Sequence, residues 1–322
     1  MIEVELDSAS LARVSVRPSP VHEILGWLRT ARLGERHPVL GRPPDATRRL
    51  VADPDVALVA SMISGTGYRP DFLTPRAPAL LGQRSAGPVD LNVQLEQVAT
   101  APADRVAEQV ALWLGADPAD AGRVRAAAED GTLARRAAEG LARFRDETMA
   151  DWWGDLQGLV RDEVTRVSRS AARFGMGTVF AGIHRQVSWD GACLRIDMPY
   201  AEHVRFVDQE LVLSPSVTSW SHLIVQVCGD DASLVYPASR ALRSARDAAA
   251  LGDLLGRTRA GILRDLVVER TPTDLASRHA LAKPTVSHHL GVLVRTGLVY
   301  REPDGKQVHY GLTTRGRSLV DG

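Results

Sequence analysis

The segment from Thr271 to Leu312, TPTDLASRHALAKPTVSHHLGVLVRTGLVYREPDGKQVHYGL, leaves the chain little conformational choice. Thr271 can accept from the backbone N–H groups of a new helix. Pro272 suits its first turn, and Asp274 sets a carboxylate beside the positive helix end. Leu275 and Ala276 then face inward. After a break at Ala280 and Leu281, a second helix is expected to begin near Lys283. Val286, Leu290 and Leu293 recur at i, i+4 and i+7, one stripe that packs on the domain. That leaves Lys283, Pro284, Thr285, Ser287, His288 and Arg295 on other faces. Two short helices joined by a tight turn, the second with an exposed polar face, make a helix-turn-helix.

The residues after the second helix narrow the choice. Gly297 is a helix stop, Leu298 to Arg301 reads as a strand, Pro303-Asp304-Gly305 as a turn, and Lys306 to Tyr310 as the returning strand. A hairpin with a charged tip directly after a helix-turn-helix is a wing.

These residues resemble the ArsR-type winged-helix repressors. The likeness is carried by TVSHHL (Thr285 to Leu290), GLV (Gly297 to Val299), the wing tip Asp304-Gly305-Lys306 and the upstream LGRTRAGIL (Leu255 to Leu263), together roughly the last quarter of the chain. One departure is Ala282, where the family usually has Ser ahead of the recognition helix. A missing N-cap costs typically about 1 kcal/mol of local helix stability. The resemblance implies binding of double-stranded DNA by a dimeric repressor. Thr285, Ser287 and His288 would then face base edges, while Lys283 and His289 meet phosphate or the helix entry, with Pro284 and Arg295 beside them. Arg301, Lys306 and Gln307 would bring the wing to the backbone or minor groove.

Charge agrees with a local rather than global attraction to nucleic acid. The 322-residue chain has 39 Lys+Arg and 39 Asp+Glu, so its net charge is zero. Residues 246–322 hold 12 basic and 8 acidic side chains, however, against 27 and 31 in the remaining 245. The chain's two lysines, Lys283 and Lys306, fall at the recognition-helix start and the wing tip. With Cys193 and Cys228 as its two cysteines, the chain has no disulfide framework. Neither a signal-like segment nor a long apolar run is present, so a cytoplasmic location without membrane contact is expected.

The rest reads as α+β. Met1 to Asp7 alternates as a half-buried strand, and Leu11 to Arg17 as a second. Ser19-Pro20 starts a helix with Val21, Ile24, Leu25 and Leu28 on one face, and Asp53 to Met62 is another. From Leu91 to Phe174 helices dominate, starting at Ala103-Asp104, at Asp117-Pro118 and at Gly131 or Thr132. The strongest runs from Glu147 to Phe174, where Met149, Trp153, Leu156, Val160, Val164, Val167, Ala171 and Phe174 form one apolar stripe. Its simplest role is the core of its own domain, with a dimer seam or a pocket wall as alternatives. Next comes a β-rich part: a hairpin about Asp190-Gly191, then strands at Gln209 to Leu213, Leu223 to Cys228 and Ser233 to Tyr236. Arg240 to Leu255 returns to helix. The expected architecture is a mostly helical N-terminal domain with a small antiparallel sheet, residues 1–245, then a C-terminal winged helix-turn-helix, residues 246–322.

This N-terminal region is similar to a poorly characterised domain that precedes ArsR-type winged helices in actinobacterial regulators. The likeness rests on Ser19-Pro20 with Glu23, on PDFLTP (Pro70 to Pro75), on LVLSPS (Leu211 to Ser216) and on LVYPA (Leu234 to Ala238). It implies an architecture and no particular ligand.

Other candidates are weaker. Trp152, Trp153, Trp189 and Trp220 could line a pocket for a small apolar effector, although large aromatics are more often plain core. The ArsR thiolate site would fall on Pro272 to Arg278, which has no Cys, and its second metal site after Leu312, where no His remains. Cys193, Cys228, His184 and His222 are a remote metal alternative. Gly65-Thr66-Gly67 lacks the lysine and spacing of a phosphate loop, and His22-Glu23 reads as a capping or solvated pair. No catalytic constellation or cofactor site is indicated. Two functions remain: an effector-responsive DNA-binding regulator, or a DNA-binding protein whose N-terminal domain is only an oligomerisation or partner scaffold.

Overall fold

In a computed structural model the alternating stretch at the start forms β1 (Ile2–Leu6), with Ile2, Val4 and Leu6 buried. Residues 1–63, 68–75, 90–116, 118, 120–198, 201–219, 223–228, 231–238, 250–304 and 307–321 are described by the structure. They fall into two units, Met1–Ala241 and Leu242–Gly322.

The first unit has seven further strands: β2 (Ser15–Val16), β3 (Val187–Trp189), β4 (Cys193–Ile196), β5 (Glu202–Phe206), β6 (Glu210–Ser216), β7 (Ile224–Cys228) and β8 (Asp231–Pro237). They make two four-stranded mixed sheets, ordered β3-β4-β1-β5 and β2-β6-β8-β7, in place of the expected small antiparallel one. The β3–β4 hairpin turns at Asp190-Gly191 as its sequence indicates, and Asp190 Oδ1 accepts from Cys193 N at 2.8 Å. The parallel pairs were not visible in the alternation. β1 runs antiparallel to β4 but parallel to β5, and β8 enters between β7 and β6, parallel to the latter. Period-two patterning says which face is buried and nothing about the direction of a neighbour.

The helices of this unit are α1 (Ser8–Ala12), α2 (Pro20–Leu33), α3 (Asp45–Leu50), α4 (Pro54–Ile63), α5 (Leu91–Ala99), α6 (Ala103–Leu114), α7 (Ala121–Glu129), α8 (Leu133–Thr148), α9 (Trp153–Phe174) and α10 (Met176–Ile183). Three differ from expectation. The strand expected at Leu11 to Arg17 is shortened to β2, because Asp7 accepts from Ser10 N at 2.7 Å and caps α1, which takes Leu11 and Ala12. Asp117 lies outside the described residues, and α7 starts beyond it at Ala121. Finally, the long Glu147–Phe174 helix is interrupted by a 3-10 turn, Ala150–Trp152. The Trp152 indole donates to Thr148 O at 3.0 Å, taking the carbonyl that a continuous helix would give to its own backbone N–H.

α8 is the centre of the helical body, with Leu133, Ala137, Leu141 and Phe144 buried. Gly140 lets α4 approach: a Cβ there would lie 2.6 Å from the Asp55 carbonyl carbon. A second core joins both sheets to α9 and α10, around Phe180, Leu194, Phe206, Leu213 and Tyr236. Leu156, Val160 and Val167 of α9 are buried within this unit, whereas Phe174 is 61% exposed. Buried Glu163 interrupts the apolar stripe and is held by Arg166 through two hydrogen bonds, 2.6 and 3.0 Å.

The second unit contains α11 (Arg257–Asp265), α12 (Pro272–Arg278), α13 (Lys283–Arg295), β9 (Val299–Asp304), β10 (Gln307–Leu312) and α14 (Thr314–Asp321). Residues 250–255 ahead of them are helical, and 239–249 lie outside the described residues. Its own core gathers Ile262, Leu263, Leu266, Leu275, Val286, Leu290, Leu293, Val299 and Leu312.

Candidate nucleic-acid interface

Local chemistry fixes the two helices of the motif. Thr271 Oγ1 accepts from Asp274 N at 3.2 Å, and Asp274 Oδ2 accepts from Thr271 N at 3.2 Å, a reciprocal cap on α12. The Thr271 donors hold the Asp274 carboxyl below the usual carboxylate range. Asp265 at the end of α11 accepts from Arg278 at 2.9 and 3.2 Å, which lowers its pKa likewise and ties α11 to α12. Ala280 then takes φ +51°, and Leu281 N donates to Ala276 O at 3.0 Å, so the chain reverses within three residues of α12. Such a left-handed conformation is uncommon at a non-glycine residue.

α13 starts at Ala282 with no side-chain cap, as the sequence departure implies. Val286, Leu290 and Leu293 are buried. Lys283, Pro284, Thr285, Ser287, His288 and Arg295 are exposed. His289 differs, being half-buried, with its ring 5.7 Å from that of His288. Burial and the neighbouring His288 push its pKa down. Thr285 N and Val286 N donate to Ala282 O at 3.0 and 3.1 Å, and Pro284 has no N–H, so in the first turn of α13 the backbone N–H of Lys283 is the one left for an outside acceptor, beside an exposed Lys283 side chain. Gly297 ends the helix with φ +71°.

Beyond it β9 and β10 pair antiparallel, from Leu312 opposite Val299 to Gln307 opposite Asp304. Arg301 lies opposite Tyr310 and is exposed. Lys306 and the side chain of Gln307 lie outside the described residues. A third segment joins this hairpin: Arg270 N donates to Tyr310 O at 3.1 Å, and Tyr310 N to Arg270 O at 2.9 Å. Arg270, just ahead of the Thr271 cap, is thereby bonded to the returning wing strand, a link that sequence reading missed.

This order of elements, helix-turn-helix then a β-hairpin wing, is the class the C-terminal unit defines. Residues 254–301 match the family model described as a helix-turn-helix domain, of ArsR-like type. Among solved structures, reduced HlyU from Vibrio cholerae N16961 is similar at 26% sequence identity, over 26% of this chain and 87% of that one, with a TM-score of 0.21. No curated protein matches the chain. A helix-turn-helix domain of the matched type implies DNA binding, and the match is not to a catalytic family.

The first unit holds a feature of another kind. A cavity of about 880 Å³ opens between α2, residues 68–74, the loop Val217–Ser219 after β6, and β7. His22 and Glu23, expected to cap or to be solvated, are instead buried in its surroundings. Glu23 Oε1 accepts from Val217 N at 2.9 Å, and its Oε2 from Thr218 N and Thr218 Oγ1, both at 2.9 Å. Burial raises the Glu23 pKa against the pull of these donors. His37, also buried, donates from Nε2 to Val217 O at 2.9 Å and accepts at Nδ1 from Leu40 N at 3.0 Å. Gly26 lets the same loop close on α2, since a Cβ there would lie 2.8 Å from the Thr218 carbonyl carbon. Gln94 accepts from Val21 N at 3.1 Å and donates to Pro75 O at 3.1 Å, joining two of the segments behind the N-terminal resemblance.

Of the tryptophans expected to form a pocket, Trp152, Trp153 and Trp189 do not line this cavity. Trp152 packs edge-on against Trp27 at 5.5 Å, and Trp189 against Phe180 at 5.1 Å; Trp153 is half-buried and Trp220 lies outside the described residues. Cys193 is a buried free thiol. Among the described residues no cluster of three or more His, Cys, Asp or Glu could hold a metal, and no helix is long and apolar enough to cross a membrane. His222 and the Cys228 side chain fall outside those residues.

Proposed function

We propose that this chain is a sequence-specific transcription regulator, a cytoplasmic homodimeric repressor. What carries the reading is the exposed set of ammonium, hydroxyl and imidazole groups on α13, within a matched helix-turn-helix domain. Thr285, Ser287 and His288 read base edges in the major groove. Lys283, Pro284, His289 and Arg295 border them at the phosphates, and Arg301, Lys306 and Gln307 seat the wing. A dimer of this kind takes two half-sites about 34–36 Å apart, one turn of duplex. The effector belongs in the cavity rather than among the tryptophans, which favours a responsive regulator over a passive scaffold.

The test is binding of the full-length protein to DNA upstream of its own gene, across a salt series. His288→Ala is expected to relax base preference. Lys306→Ala is expected to weaken binding to all sequences alike and to reduce the salt slope by about one unit. If both variants bind as the parent does, this assignment of contacts is wrong.

A further inference from the structure

The cavity of the first unit has two kinds of wall. Leu25, Ile63, Leu73, Leu223 and Val225 supply an apolar side. Opposite chemistry gathers where α2 meets residues 68–70: His22, Arg29 and Arg69 all reach the cavity. Arg29 is already engaged, its Nη1 donating to Glu35 Oε2 at 3.0 Å. Arg69 is not: among the described residues this half-buried guanidinium has neither an ion pair nor a hydrogen bond, although Asp71 and Glu202 also line the cavity. Nor does the His22 ring have a hydrogen-bond partner among those residues, while being only 6% exposed.

A partly desolvated cation without an acceptor is costly, and arginine's planar fork suits an oxyanion better than water. The charges also crowd one another. Burial and the nearby Arg29 bring the Arg69 pKa down to about 10, and burial with the charge of Arg69 brings His22 down to about 4. At neutral pH, then, His22 is an uncharged imidazole with an N–H to donate.

We propose that the cavity binds a small amphipathic anion, its oxyanion head held by Arg69 and His22 and its apolar body lying along Leu25, Leu73, Leu223 and Val225. A volume of about 880 Å³ is ample for such a molecule. The pocket is built to hold a shape: Glu23 and His37 pin the Val217–Ser219 loop, and Thr74 Oγ1 donates to Gln226 Oε1 at 3.3 Å across from it. The head is a carboxylate or a phosphate, which share this chemistry.

Titration of the full-length protein without DNA tests the site independently of the regulatory reading. The probes are decanoate, decyl phosphate and decan-1-ol, which share one apolar body. At least one of the two anions is expected to bind about tenfold or more tighter than the alcohol, as one charge-assisted bond provides. The better anion identifies the head. Arg69→Met should erase that preference while melting no lower than the parent, since it removes an unpartnered charge. Val225→Phe, which narrows the apolar side, should weaken the anion without unfolding the sheet. The proposal is overturned if decanol binds as tightly as both anions, if neither anion binds, or if Arg69→Met keeps the preference.

Discussion

Glu23 shows how much one side chain can organise. It answers two backbone N–H groups and a hydroxyl of a loop that is nearly two hundred residues away in sequence. Removing one partner of a buried bond leaves its donor orphaned, at about 1–3 kcal/mol each. Glu23→Ala is therefore expected to lower stability by about 3 kcal/mol or more in denaturant titration, and Glu23→Gln, which keeps one acceptor, by clearly less. His22 beside it adds a pH dependence with a definite sign. Its folded pKa, about 4, lies below the ordinary 6.5, so the unfolded chain binds its proton more readily. Its contribution is complete above pH 6.5 and falls away toward pH 4, by about 3 kcal/mol at about 1.4 per unit. Thermal midpoints from pH 7 to 4.5 should drop less steeply in His22→Gln than in the parent. An equal drop in both would place the sensitive group elsewhere. None of this was legible in the sequence, where a His-Glu pair in a first helical turn looks like a solvated cap. A lone arginine in a loop, such as Arg69, carries no signal until its surroundings are known.

At the level of elements, patterns whose causes are local were readable. The Thr271 cap, the α13 stripe, the stop at Gly297 and the Asp190-Gly191 hairpin all depend on neighbours within a few residues, although the return bond that Thr271 N donates to Asp274 was not foreseen. What failed depended on distant partners: the parallel pairings of β1 with β5 and β6 with β8. The long helix expected from Glu147 is interrupted at Ala150–Trp152, where the Trp152 indole donates to Thr148 O. The uncapped start of α13 gives an element-scale prediction. Ala282 already has extended backbone angles, φ −68° and ψ 141°, suited to a capping residue. Ala282→Ser should stabilise the C-terminal unit by up to about 1 kcal/mol, read as a higher denaturation midpoint, with the fold unchanged by circular dichroism. No gain would mean that the added hydroxyl contributes nothing beyond the bond that Thr285 N already makes to the Ala282 carbonyl.

For the whole molecule, charge is apportioned rather than merely balanced. With 12 basic against 8 acidic residues in 246–322, and the reverse bias in the remainder, attraction to a polyanion is confined to one part of a neutral chain. Binding to random DNA should therefore be weak and vanish by about 0.2 M salt, while operator binding retains base contacts that salt does not screen. Competition with random duplex at two ionic strengths reads this directly, and undiminished random binding at the higher one would contradict it.

The central place of β1 in its sheet has a consequence for biosynthesis. Its hydrogen-bonding partners, Cys193–Ile196 and Glu202–Phe206, leave the ribosome about two hundred residues after it does. At about 5–20 residues per second, Ile2, Val4 and Leu6 wait roughly 10–40 s with their apolar face uncovered. Nascent chains halted short of that point would be the natural clients of a chaperone.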